Sequence, residues 1–73
     1  MGDVTVRAEF GAIVWKIVVQ PGADVAADQE VLILESMKTE IPVTAPTAGR
    51  VTAIAVQEGE AVEERQALFT LQT

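Results

Sequence analysis

The chain matches itself at one constant offset: Val14 with Val51, Ile17 with Ile54, Val19 with Val56, Gln20 with Gln57, Gly22 with Gly59, Val25 with Val62, Gln29 with Gln66 and Leu34 with Leu71. One structural unit is therefore used twice. Each copy reads as a strand, a turn at Pro21-Gly22 or Glu58-Gly59, a short polar excursion, and a second strand ending in an apolar run, Val31 to Leu34 in one copy and Leu68 to Leu71 in the other. Val, Ile and Thr are abundant and no apolar helical period extends beyond a few residues, so the predicted class is all-β. Neither copy can bury a face alone. The expected solution is two small antiparallel sheets packed face to face about a quasi-twofold axis, their short interlocked strands forming a flattened β-barrel or sandwich. At 73 residues this is one domain spanning 1–73, of a size at which a core buries only about 60% of the unfolded chain's surface.

Composition removes several functions. Cys and His are both absent, which excludes disulfides, thiolate metal sites, cysteine nucleophiles and the commonest general base. The net charge is −6 and Arg7, Arg50 and Arg65 are scattered, so neither nucleic acid nor an anionic membrane is an expected partner. The N-terminus has no signal-peptide pattern, and the apolar run Ala12 to Val19 is broken by Lys16 and far shorter than the ~20 residues of a membrane span. A cytoplasmic protein, monomeric when isolated, is expected. Glu58, Glu60, Glu63 and Glu64 read as a solvated loop rather than as paired catalytic carboxylates, because no base accompanies them.

The stretch Ile33-Leu34-Glu35-Ser36-Met37-Lys38-Thr39-Glu40-Ile41-Pro42-Val43 places two strand-like runs back to back with no Gly, Asn or Asp where the chain must reverse. With Met37-Lys38 as a two-residue turn, Ser36 faces Thr39, Glu35 faces Glu40 and Leu34 faces Ile41, and Leu32, Leu34, Ile41 and Val43 share the core side. The favoured two-residue hairpin turns need positive φ, which costs a non-Gly residue about 1–2 kcal/mol. The facing glutamates add a repulsion of about 0.2–1 kcal/mol. Two readings are open on the residues alone. Either a longer or unprimed turn removes the strain and Lys38 softens the Glu35–Glu40 repulsion, or the strain is kept because the tip presents Lys38 to a partner. The repeat puts the chain ends where the tip's counterpart would be, and so predicts tip and termini at opposite ends of the molecule, with Met1 as the mate of Lys38.

Glu35-Ser36-Met37-Lys38-Thr39 resembles the attachment motif of biotin carboxyl carrier proteins and the biotinyl domains of biotin-dependent carboxylases, within the biotinyl/lipoyl attachment family. Val14-Trp15-Lys16-Ile17, Pro21-Gly22 and Ala45-Pro46-Thr47-Ala48-Gly49-Arg50-Val51 are similar to the strand and turn signatures around that motif. The resemblance implies covalent biotin on Lys38, with Glu35, Ser36, Met37, Thr39 and Glu40 read by a biotin protein ligase. It implies a non-catalytic carrier, part of a biotin-dependent carboxylase, that takes carboxybiotin between biotin carboxylase and carboxyltransferase active sites. Lipoate on the same lysine, or an unmodified interaction module of the same fold, are the alternatives. Thr39 stands where many members have a second Met, Ala12 where Gly is favoured, which suggests a bulged strand entry, and the protruding thumb of some bacterial carriers is missing.

Biotin is joined through its activated carboxylate to a primary amine, and the side-chain candidates are Lys16 and Lys38. Lys16 is expected mid-strand, hemmed by neighbours. Trp15 is expected to pack in the core or at an edge. Ser36 and Thr39, without a base, read as hydrogen-bonded turn neighbours. Pro42 lacks a donor N–H and suits an edge strand.

Overall fold

The computed structural model describes residues 2–73; Met1, the repeat mate of Lys38, lies outside them. The described residues form eight strands and no helix: β1 (Asp3–Arg7), β2 (Ala12–Ile17), β3 (Asp24–Val25), β4 (Glu30–Ser36), β5 (Thr39–Thr44), β6 (Gly49–Ile54), β7 (Ala61–Val62) and β8 (Ala67–Gln72). They make two antiparallel four-stranded sheets, ordered β1-β8-β6-β3 and β5-β4-β2-β7. The repeat maps β2 onto β6, β3 onto β7, β4 onto β8 and β1 onto β5, so each sheet is the image of the other.

The halves are exchanged rather than stacked side by side. The short β3 of the first copy pairs with β6 of the second, and β7 of the second with β2 of the first. The turn glycines explain how. Gly22 and Gly59, with φ of 96° and 89°, turn the chain so that Gly22 N–H donates to Val51 O and Gly59 N–H to Val14 O across the two copies. The polar excursions close alike, with Ala26 N–H donating to Gln29 Oε1 at 2.9 Å and Glu63 N–H to Gln66 Oε1 at 3.0 Å. Glu58 and Glu60 are not merely solvated: Glu58 Oε2 accepts from Ile17 N–H at 3.0 Å and Glu60 Oε1 from Gln57 N–H at 3.0 Å.

The core carries the same symmetry. Val14 and Val51, Val25 and Val62, Val31 and Leu68, Leu32 and Phe69, Leu34 and Leu71, and Ala8 and Ala45 are all buried. Strict alternation gives way where a bulge intervenes: β4 and β8 bury Val31-Leu32 and Leu68-Phe69 consecutively because pairing shifts there by one residue. The β2 and β6 bulges fall at Trp15 and Thr52, so the irregularity expected at the Ala12 entry lies instead at mid-strand, and Ala12 pairs regularly with Val62. Pro42 sits on the edge strand β5, exposed, where a missing N–H breaks no ladder. In the β1-β8-β6-β3 sheet the chain ends take the place of the tip, joined by Thr73 N–H donating to Gly2 O at 3.0 Å.

Candidate functional site

The β4–β5 hairpin closes through two residues, Met37 and Lys38, with φ of 53° and 66°. Positive φ at both central residues is the mark of a primed turn, whose twist matches that of the flanking strands. The register is Ser36 opposite Thr39, Glu35 opposite Glu40, Leu34 opposite Ile41 and Leu32 opposite Val43, as the spacing predicts. The strain has not been removed by a longer turn. Leu32 and Leu34 hold the base of the hairpin in the core, so the tip is anchored while its two apical side chains are free.

Met37 is 94% exposed, far more than the other large exposed hydrophobics, and Lys38 is exposed beside it. Neither Glu35 nor Glu40 forms an ion pair with Lys38 among the described residues, where the single salt bridge is Arg50–Asp24. The acidic pair is thus not neutralised by the lysine, and the ammonium is left available. Ser36 is half-buried and Thr39 exposed; they face each other across the register but make no side-chain hydrogen bond among the described residues, contrary to expectation.

The other lysine is placed differently from its expected setting. Lys16 lies in β2 opposite Ile33, but it is exposed rather than hemmed, with Nζ 5.6 Å from the Trp15 ring centroid. At the surface such a cation–π contact is worth about 0.5–1 kcal/mol. Trp15 itself is neither core nor edge packing: it is 41% exposed on a strand flanked on both sides, and Ile13 is 47% exposed. The repeat carried the signal for this outward placement, since Trp15 aligns with Thr52 and Ile13 with Arg50, polar residues suited to an outer face. What separates the lysines is therefore place. Lys38 projects from an apex; Lys16 lies along the flank of a sheet.

An exposed primary amine on a rigid two-residue turn suits acylation, because the incoming enzyme can enclose it without unfolding a strand. Residues 1–71 match the family model described as "Biotin-requiring enzyme". The chain is 40% identical over 68 residues to the biotin/lipoyl attachment protein of Bacillus subtilis, covering 93% of both chains. It superposes on the urea carboxylase of Kluyveromyces lactis with a TM-score of 0.92 at 30% identity, covering 99% of this chain and 6% of that one. The lipoyl domain of the 2-oxoglutarate dehydrogenase complex from Azotobacter vinelandii shares the fold, with a TM-score of 0.83 at 24% identity over 96% of each chain. The match spanning both halves of the repeat, and the tip between them, establishes that the chain belongs to the biotin-requiring family of biotinyl/lipoyl attachment domains.

Proposed function

We propose that the chain is a biotin carrier, modified on Lys38 by a biotin protein ligase and serving a biotin carboxylase and a carboxyltransferase in turn. The observation that carries this reading is the turn itself: two non-Gly residues are held at positive φ, with Met37 almost wholly exposed next to the lysine. In the ligation step Nζ attacks the acyl carbon of the adenylated biotin, an amide forms, AMP leaves, and the amine's proton passes to the ligase. The carrier supplies no catalytic group to this step. Once attached, the bound group can reach either active site on the lysine arm while the β scaffold stays fixed, at an effective concentration on the order of mM.

Lipoate is the second reading, favoured by the shared fold of the lipoyl domain. Lipoyl domains typically carry an acidic residue directly before the lysine, whereas Met37 offers an apolar one. Incubation with ATP and either biotin and a biotin protein ligase or lipoate and a lipoyl ligase, read by intact mass, separates the two. One biotinyl group and no lipoyl group is the expected result; preferential lipoylation overturns it.

A further inference from the structure

The quasi-twofold repeat supplies an internal control for the surface, because each outer position of one sheet has a counterpart in the same register of the other. On the β1-β8-β6-β3 sheet the outer rows read Asp24–Arg50–Gln72–Asp3 and Thr52/Ala53–Thr70–Thr5, polar almost throughout, with Arg50 and Asp24 paired at 3.2 Å. The same rows on the tip-bearing sheet read Ala61–Ile13–Glu35–Glu40 and Trp15/Lys16–Ile33–Pro42. The backbone is the same and the chemistry has been exchanged. Ile13 and Trp15 remain 47% and 41% exposed, although Thr52 and Arg50 show that the fold accepts polar residues in their places. The backbone geometry does not call for an apolar residue at either place.

We propose that the outer face of the tip-bearing sheet, Ile13, Trp15, Ile33 and Pro42 with Glu35 and Glu40 at its tip end, is the docking surface for the biotin protein ligase. The proposal rests on Lys38 as the acceptor. The matching ligase surface sets an apolar contact beside a Lys or Arg, because Glu35 and Glu40 stand side by side with no cation paired to them among the described residues. A second copy is a poor occupant: packing this face on itself brings two such acidic pairs together between chains that each carry −6. The charge likewise disfavours an anionic lipid surface. The ligase is the partner that must make the contact, since it acts when the amine is only a lysine side chain away from the turn and so has to cover the ground around the tip. Enzymes served later reach the group on a longer arm.

The repeat also gives the test its substitutions. Trp15→Thr with Ile33→Thr installs the residues found at the counterpart positions, Thr52 and Thr70, and Thr52→Ala with Thr70→Ala is the control on the other sheet. With a bacterial biotin protein ligase, the first variant should raise the KM for the carrier about tenfold, the scale of losing an aromatic anchor, with kcat unchanged; the control should leave both unchanged. An unaltered KM in a folded variant overturns the docking face while leaving Lys38 as acceptor, whereas label persisting on Lys38→Arg defeats the acceptor reading itself. Should the variant not fold, titrating the ¹⁵N-labelled wild type with ligase decides: broadening at Ile13, Trp15 and Ile33 supports the proposal, and broadening confined to Ser36 to Glu40 contradicts it. A wild-type dimer in light scattering that the variant loses, with KM unchanged, assigns the face to a second copy and also overturns it.

Discussion

Met37 and Lys38 occupy a conformation that Asn-Gly would adopt with less strain, and the chain keeps them there. Relieving the strain should therefore raise stability while destroying the site. Met37→Asn with Lys38→Gly is expected to stabilise the protein by about 1 kcal/mol in urea unfolding, after the entropic cost of the new glycine, and to accept no biotin. Unchanged or lower stability would mean that this turn is not strained. A separate role in ligase recognition is proposed for Met37, since an apolar side chain so exposed has no part in the core. Burying it in a ligase pocket is worth roughly 1.5–3 kcal/mol, or one to two orders of magnitude in kcat/KM if the contact is made mainly in the transition state. Met37→Asp should lose that much biotinylation with an unchanged Tm; biotinylation at the normal rate would remove Met37 from recognition.

Among the strands, the hairpin was the most legible element. Its two-residue turn fixes the register, and the period-2 pattern puts Leu32 and Leu34 inside. The bulges were not legible, because a single unpaired residue leaves no mark in an alternating pattern until the partner strand is known. Hence the alternating pattern alone points Trp15 to packing, while the β2 bulge sets it and Lys16 together opposite Ile33 on the outer face. The Ala12 and Gly49 mismatch in the repeat has a counterpart in the strand entries. A Cβ on Gly49 would lie 2.7 Å from the carbonyl oxygen of Gln72, so β6 begins where only glycine fits beside β8. Gly49→Ala should cost about 1–3 kcal/mol, measured by denaturant unfolding, as the backbone shifts to relieve the overlap. A silent substitution would show that the β6–β8 contact yields freely.

Across the whole molecule, one core is built from two exchanged copies, with matching residues buried at matching positions. This explains why the repeat revealed the architecture: a symmetric core leaves a symmetric sequence. The outer surfaces face no such demand, and it is there that the copies diverge. A core anchored in this way should not respond to what is attached at the tip. Amide shifts of the unmodified and biotinylated protein are expected to differ only near Ser36 to Glu40; widespread changes in β2 or β6 would show the arm folding back on the body. With Lys38 as the proposed acceptor, it is the apex, rather than the mere presence of an exposed lysine, that selects it. Both lysines are exposed, so the molecule contains its own comparison. The direct measurement is intact mass with peptide mapping after incubation with biotin, ATP and a biotin protein ligase. Wild type and Lys16→Arg should each gain one biotinyl group on Lys38 and Lys38→Arg none; label on Lys16, or a modified Lys38→Arg, would contradict the account.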